Sequence, residues 1–212
     1  KLDENSSFHK ESRGVEKYGV DSLFFTIKKD EQFIFLHHYM QALKFASIST
    51  KKRVLNLGIN RGDEFDIIKK MLGDELFSAI EFVGIDHSPS AIEYAKERFS
   101  KDKGVSFYAH DINTISELNL GRFDLIISIG TLQSLDFNAA FMSIYQNLLE
   151  KNGSIVLGFA NCRWIDGEMV YGAKMPNNKQ SDLSLVIKDI YFCKKYIKKK
   201  KHRVVISGKE YI

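Results

Sequence analysis

The residues best placed for binding chemistry lie in VLNLGINRGDEF, residues 54–65, where an apolar run ends in a tight turn and a helical pattern begins. A dinucleotide-binding turn requires G-x-G-x-x-G, and only the first of its three glycines, Gly58, is present. The spacing G-x-G-x-G is matched better, by Gly58 and Gly62 with Asn60 between them. Because asparagine tolerates a left-handed backbone, Asn60 is a mild departure from that spacing.

The elements that must position this turn alternate between strands and helices. Apolar runs predict strands, and apolar residues at helical spacing predict the helices between them. The predicted strands cover residues 54–57, 81–86, 105–108, 123–130 and 154–160. This alternation predicts βαβ units and a parallel sheet covered on both faces. Ligands of such sheets bind at the carboxyl ends of the strands, so the turn after the first strand is the expected nucleotide site.

Together these motifs resemble class I S-adenosylmethionine-dependent methyltransferases over residues 50–212. VLNLGINRG resembles the first motif of that family, and Asp86, at the end of FVGID, matches the acidic residue that holds the ribose hydroxyls. YAHDI matches the segment after the third strand, where an aspartate side chain and the next backbone N–H contact adenine. LIISIGTLQSL and LLEKNGSIVLGF resemble the fourth strand with its loop and the helix, turn and fifth strand that follow.

The resemblance implies a site for S-adenosylmethionine, with S-adenosylhomocysteine as the product. The implied cofactor-binding residues are Asn56, Gly58, Asn60, Gly62, Asp86, His87, Asp111, Ile112 and Gly130. S-adenosylmethionine has no phosphate, so the turn needs no Lys or Arg, and the helix that begins near Gly62 offers N–H groups to the methionine carboxylate. Asn56 stands where the family usually has Asp or Glu, and Asn60 replaces the central glycine. Asp86 and Asp111 are also suited to capping a helix or turn.

The resemblance further implies a three-layer, Rossmann-like doubly wound α/β fold. HRVVIS, residues 202–207, is predicted to begin a hairpin, which adds an antiparallel C-terminal strand to a mostly parallel sheet. Residues 1–50 are expected to form an N-terminal arm and helix, a helical extension of the same domain that is a candidate lid. Residues 51–212 are expected to form the S-adenosylmethionine-binding domain.

Substrate residues are expected in two segments. Residues 161–181 show no periodicity, contain the single tryptophan and follow the fifth strand, which is typical of a substrate lid. We predict Arg163, Trp164 and Tyr171 as substrate residues there, although Trp164 packed on the core would explain the same pattern. Tyr18 is a further candidate, because N-terminal segments of the family often fold over the cofactor.

No catalytic residue is predicted, because methyl transfer depends mainly on positioning. A base helps if the acceptor is a hydroxyl, whereas a neutral amine needs little help from one, and the sequence does not identify the accepting atom. No metal site is predicted either. The loop after the fourth strand, SIGTLQSL, lacks the N/D-P-P-Y-like motif of amino-directed nucleic-acid methyltransferases. The sequence therefore predicts a small-molecule acceptor and no DNA partner.

Composition leaves two alternatives open. Of 212 residues, 44% are hydrophobic and 27% charged, as in ordinary globular proteins. Two cysteines and the lack of a membrane-length apolar run predict a cytoplasmic protein without a membrane partner. Residues 183–212 hold nine Lys or Arg against two Asp or Glu, which favours an RNA (tRNA or rRNA) methyltransferase as one alternative. The other alternative is a non-catalytic binding module, because Asn56 and Asn60 both differ from the residues that the family usually has at those positions. The oligomeric state is not predicted.

Overall fold

The computed structural model describes residues 14–132, 137–159, 162–165, 168–171 and 184–206. Its central strands are β1 (Arg53–Leu57), β2 (Glu81–Asp86), β3 (Val105–Ala109), β4 (Phe123–Ile129) and β5 (Leu149–Gly158). They form a five-stranded sheet in the order β3-β2-β1-β4-β5, and every pair is parallel. The strand order reverses between β1 and β4, and ligands of doubly wound sheets bind outside such a switch point.

Helices cover both faces of this sheet. They are α1 (Phe33–Phe45), α2 (Asp63–Leu72), α3 (Asp74–Ser78), α4 (Pro89–Arg98), α5 (Phe137–Asn147) and α6 (Ser184–Lys199). Short 3₁₀ turns occupy Gly14–Tyr18, Leu23–Thr26, Lys29–Glu31, Ile48–Thr50 and Ile112–Leu118. Apolar side chains of α1, α2 and α4 pack on one face of the sheet, and those of α5 and α6 pack on the other. The predicted α/β fold of three layers with an N-terminal helix is therefore confirmed.

Local sequence explains the elements nearest the predicted site. Along β1, Leu55 and Leu57 belong to one apolar cluster and Val54 belongs to the other, so the strand is buried on both faces. Helix α4 begins where Ser88 accepts a hydrogen bond from the Ala91 N–H at 3.3 Å, with a proline at its first position. Both features are those that helix starts favour.

The predicted antiparallel C-terminal strand is wrong for the residues that the structure describes. Helix α6 ends at Lys199, Lys201 adopts a left-handed φ of +64°, and residues 202–206 pair with no strand. Valine and isoleucine there have strand propensity, but a strand forms only where a neighbouring backbone pairs with it. Instead, the Arg203 guanidinium lies 5.2 Å from the centre of the Phe45 ring. Residues 207–212 lie outside the described residues.

Residues 161–181 show no periodicity in the sequence, yet two short stretches of this segment form strands. Strands β6 (Cys162–Ile165) and β7 (Glu168–Tyr171) form a separate antiparallel pair. The two residues between them in the sequence are Asp166 and Gly167, and Asp-Gly between short apolar runs is a strong hairpin signal. The remainder of this segment lies outside the described residues.

None of the helices that the structure describes is both long enough and apolar enough to cross a membrane.

Candidate functional site

The turn between β1 and α2 places three alternate residues in the left-handed backbone region. The angle φ is +81° at Gly58, +46° at Asn60 and +87° at Gly62. The G-x-G-x-G spacing therefore marks a repeat of backbone conformation, and asparagine tolerates its middle position. The N–H groups of Gly58 and Ile59 both donate to the carbonyl oxygen of Ile85, at 2.8 and 3.0 Å. These bonds hold the turn against the carboxyl end of β2.

Asp86 ends β2 and lies directly against this turn. The residue is only 5% exposed. Its Oδ2 accepts a hydrogen bond from the Asn60 N–H at 2.9 Å, and its Oδ1 accepts one from the Ser88 N–H at 3.1 Å. Because a carboxylate has about four acceptor positions, Asp86 has capacity for the hydroxyl groups of a ligand.

His87 extends the polar surface next to Asp86. Its imidazole is 40% exposed, and its Nδ1 lies 3.4 Å from the Asp86 Oδ1. Hydrogen bonding to Asp86 raises the pKa of His87 above its ordinary value, against the opposing effect of partial burial. Asp86 thus touches both the turn and a planar ring.

Asn56, the fourth of the five residues of β1, is a buried polar residue without a partner in the described part of the chain. It is fully buried, and neither its Oδ1 nor its Nδ2 has a hydrogen-bond partner among the described residues. Its neighbours in the sheet are Gly84 and Ile127, which carry no polar side-chain atoms. Leaving a buried polar group unpaired costs about 1–3 kcal/mol. The amide therefore offers one donor group and one acceptor beneath the turn.

The end of β4 lies beside the same turn, across the switch point. Gly130 has φ of +73°, and its N–H donates to the Gly158 carbonyl oxygen at 2.8 Å. A Cβ atom at Gly130 would meet nothing within 4 Å, whereas one at Gly58 would collide with the Thr131 side chain. The backbone of Gly130 therefore borders open space, and Thr131 closes on Gly58.

Asp111 and Ile112 follow β3 at the same edge of the sheet. The Asp111 Oδ1 accepts hydrogen bonds from the N–H and the Nδ2 of Asn113, both at 2.9 Å. Asp111 thus caps the 3₁₀ turn that begins at Ile112, while remaining exposed. The N–H of His110 donates to the Asp86 carbonyl oxygen at 2.9 Å. The ends of β2 and β3 are therefore joined, with Asp111 next in the chain.

Residues 14–31, the N-terminal strap, cross this edge of the sheet. Glu16 anchors one end: its Oε1 accepts the Ser90 N–H at 3.2 Å, and its Oε2 accepts the hydroxyl of Ser88 at 2.8 Å. The Ser90 hydroxyl also donates to Oε2, and this bond is the main cause that lowers the pKa of Glu16. The start of helix α4 favours a negative charge, so the contact is electrostatically matched.

Tyr18 places the strap over Asp86 and His87. Its carbonyl oxygen accepts a hydrogen bond from the Asn60 Nδ2 at 2.7 Å. Its ring meets the His87 ring edge to face, with centroids 5.8 Å apart. Burial, and secondarily the Asp86 charge, raise the pKa of the Tyr18 phenol. Asn60 therefore binds Asp86 through its backbone and the strap through its side chain.

The second half of the strap is anchored on Arg61 of the turn and on the first residues of α2. The Arg61 guanidinium lies 5.2 Å from the centre of the Phe25 ring and donates to the Phe25 carbonyl oxygen at 3.0 Å. The Lys29 N–H donates to the Asp63 Oδ2 at 3.0 Å, and the Lys29 ammonium lies 2.6 Å from the Oε1 of the fully buried Glu64. Desolvation nevertheless raises the pKa of Glu64 above its ordinary value.

The structure brings together most of the predicted cofactor residues. Asn60, Asp86 and His87 are joined by direct contacts, with Tyr18 above them. Sequence reasoning missed the strap anchors Ser90, Arg61, Phe25, Lys29 and Glu64. The acidic residues clustered at the start of α2 were a weak signal of such contacts, because they did not identify which residues of the strap bind there.

The predicted substrate residues of residues 161–181 lie on the hairpin strands. In the register of this hairpin, Trp164 pairs with Met169, Tyr171 with Cys162 and Arg163 with Val170. Strand β6 begins four residues after β5 ends.

No metal centre is evident in the described part of the chain, where no group of three or more His, Cys, Asp or Glu side chains is arranged to hold an ion.

Sequence comparison identifies the family. Residues 48–205 match a family described as methyltransferase domain, which is most of the chain. No curated protein was found to be similar in sequence.

Solved structures with similar folds include three methyltransferases. The N-methyltransferase NodS from Bradyrhizobium japonicum WM9, in complex with S-adenosyl-L-homocysteine, is 22% identical with a TM-score of 0.52, covering 65% of this chain and 69% of that chain. Coclaurine N-methyltransferase, bound to N-methylheliamine and S-adenosylhomocysteine, is 17% identical with a TM-score of 0.50, covering 66% of this chain and 40% of that chain. The plantazolicin methyltransferase BpumL, in complex with a monoazolic desmethylPZN analogue and S-adenosylhomocysteine, is 19% identical with a TM-score of 0.50, covering 65% of this chain and 52% of that chain. These likenesses support the Rossmann-like fold.

Proposed function

The chain belongs to the methyltransferase domain family, and on that premise we propose that it is a class I S-adenosylmethionine-dependent methyltransferase with a small-molecule acceptor. The observation that carries the proposal is the contact of the β1 turn with a buried carboxylate, through the Asn60 N–H and the Asp86 Oδ2. When bound, S-adenosylmethionine supplies an electrophilic methyl group on a sulfonium sulfur.

The polar groups at this edge fit the parts of that cofactor. The spare acceptor capacity of Asp86 suits the two ribose hydroxyls. The unpartnered amide of Asn56 and the open backbone at Gly130 suit the charged methionine end. By the resemblance of the sequence, the Asp111 side chain and the Ile112 N–H contact the adenine, and His87 lies beside the site. Gly58, Asn60 and Gly62 shape the turn, with no cation required because the ligand has no phosphate.

The work left to the protein is positioning and exclusion of water. In-line methyl displacement gains most from holding the reacting atoms in line in a closed site. The N-terminal strap suits this role, because Glu16 fixes it to α4 and Lys29 fixes it to α2. A neutral amine acceptor requires little help from a base, so we assign no catalytic residue.

The strap over the proposed cofactor site favours a small acceptor. Tyr18 covers Asp86 and His87. The hairpin that carries Arg163, Trp164 and Tyr171 follows β5 in the chain. A strap anchored at both ends narrows access for a bulky nucleic-acid acceptor. The ligand named for coclaurine N-methyltransferase, N-methylheliamine, is a small molecule.

The acceptor class is tested with S-adenosylmethionine labelled in its methyl group. The full chain is incubated with a cell extract separated into a low-molecular-mass fraction, an RNA fraction and a protein fraction. We expect label to appear in the low-molecular-mass fraction and to depend on Asp86. Label confined to RNA or protein would contradict a small-molecule acceptor, whereas failure of S-adenosylmethionine to bind would contradict the whole proposal.

The substitution Asn60→Gly tests the coupling between turn and strap. Glycine retains the left-handed backbone and the N–H that binds Asp86, but it removes the 2.7 Å hydrogen bond to the Tyr18 carbonyl. Loss of about 1 kcal/mol should accelerate amide hydrogen exchange in residues 14–20 roughly fivefold. It should weaken S-adenosylhomocysteine binding by a similar factor. Hydrogen-exchange mass spectrometry measures the first effect and calorimetry the second.

The matched control is Asn119→Gly. Asn119 has a φ of +49°, so glycine there changes chain entropy in the same way without touching the strap. Equal exchange rates in the strap of the two variants would show that Asn60 does not anchor it.

A further inference from the structure

A cavity of about 530 Å³ lies away from the proposed cofactor site. It is lined by Arg122, Tyr145, Gln146, Leu149, Glu150, Lys151, Lys200 and His202. Arg122 immediately precedes β4, Glu150 and Lys151 lie in the first residues of β5, and Lys200 follows α6. The cavity therefore opens at the amino ends of the strands. The length of β4 separates it from Gly130 by about 25 Å of extended chain.

This cavity is continuous with a strongly basic stretch of chain. Residues 190–206 contain seven Lys or Arg and no Asp or Glu. Lys198, Lys199, Lys200, Lys201 and Arg203 are all exposed. Within the described residues, no carboxylate forms an ion pair with these cations or with Arg122 or Lys151. The negative end of the α6 dipole favours cations in its last turn, yet Lys201 and Arg203 lie beyond the helix. Such a cluster repels itself and attracts a polyanion.

Aromatic rings and an amide accompany these charges. Tyr145 meets Tyr196 and His202 edge to face, with centroid distances of 5.2 and 6.2 Å. Gln146 donates to the Tyr196 hydroxyl at 3.4 Å. On the outer face of α6, Tyr191 is 60% exposed and lies one turn before the exposed Lys195. Rings interleaved with cations are the pattern by which proteins bind unpaired bases and their phosphates.

The residues of the lining and its single acid restrict the chemistry of the partner further. A membrane-binding surface presents an apolar face to the lipid, whereas seven of the eight residues that line this indentation carry a charged or polar side-chain group. Glu150 is the one carboxylate of the cavity lining. A carboxylate disfavours phosphate but accepts a hydrogen bond from a ribose 2′-hydroxyl, which DNA lacks.

We propose that this basal groove, defined by the cavity lining and by Lys198–Arg203, docks a single-stranded RNA segment. The docked segment lies at the opposite edge of the sheet from the proposed methyl-transfer site, so the docked nucleotides themselves do not reach the methyl donor. The proposal is independent of the acceptor proposed above.

The test measures fluorescence anisotropy of a labelled, unstructured RNA oligonucleotide titrated with the full chain. We expect binding that weakens as salt rises, with a log–log slope of about −3 for some four phosphate contacts. Charge reversal at Lys151 and Lys200 together should weaken RNA binding at least tenfold. The matched control reverses Lys101 and Lys103, which are exposed just before β3, the outer strand on the opposite side of the sheet from β5, and should change affinity less than twofold.

Two further arms identify the partner. The DNA oligonucleotide of the same sequence should bind more weakly than RNA, and Glu150→Gln should reduce that preference. Loss of affinity in the Lys101/Lys103 variant equal to that in the Lys151/Lys200 variant would overturn the proposal, because binding would then reflect net charge alone. Absence of RNA binding, or tighter binding of an acidic peptide than of RNA, would also overturn it. Thermal melting of each variant excludes unfolding as the cause.

Discussion

Replacement of Asp86 by alanine is expected to weaken binding of S-adenosylhomocysteine by about 100-fold. Hydrogen bonds to a charged group contribute about 1.5–3 kcal/mol each, so the loss of two ribose contacts amounts to about 3 kcal/mol or more. The variant also removes the acceptor of the Asn60 N–H, which positions the turn. Equilibrium dialysis with labelled S-adenosylhomocysteine measures the affinity.

The control for this prediction separates binding from folding. Asp86→Ala leaves the N–H groups of Asn60 and Ser88 without their acceptor, so the variant is also expected to be less stable. Asp86→Asn keeps one side-chain acceptor oxygen and serves as the milder variant. Affinity unchanged in a folded Asp86→Ala protein would show that the cofactor does not contact this carboxylate.

Replacement of Gly58 by alanine is expected to lower the free energy of unfolding by about 2–4 kcal/mol. Gly58 has φ of +81°, and a Cβ atom there would lie 2.7 Å from the Thr131 Cβ and closer still to its hydroxyl. The free-energy cost of the strained backbone and that of the collision with Thr131 therefore add. For a chain of this length, the melting temperature should fall by roughly 5–15 °C. Thermal denaturation followed by circular dichroism measures this change.

Gly130→Ala is the matched control for Gly58→Ala. Gly130 has a similar φ of +73°, but a Cβ atom there would meet nothing within 4 Å. We expect only the backbone cost, about 1–2 kcal/mol. If both variants lose the same stability, Thr131 does not pack on Gly58 as the structure shows.

The parallel sheet and the turn were predictable because both depend on local sequence. Central strands are buried on both faces and so read as continuous apolar runs, as in β4. The left-handed positions of the turn select glycine or asparagine directly. Asp86 was predictable as well, since it is the residue with which β2 ends.

The strap contacts were not predictable, because they join residues distant in sequence. Glu16 binds Ser88 and Ser90 across more than 70 residues, and nothing local to Glu16 indicates those partners. The C-terminal strand was predicted wrongly for a related reason: its propensity was present, but no neighbouring strand pairs with residues 202–206. The hairpin of β6 and β7 had a local signal in the sequence, the Asp-Gly pair between its strands. The prediction missed this signal because it relied on periodicity, which the segment lacks.

Calorimetric titration of S-adenosylmethionine into the full chain tests the central claim most directly. The account predicts saturable binding at one site per chain with a dissociation constant in the micromolar range, and competition by S-adenosylhomocysteine. A titration without binding heat, accompanied by no shift in melting temperature at saturating ligand, would contradict the claim that this edge of the sheet holds the methyl donor.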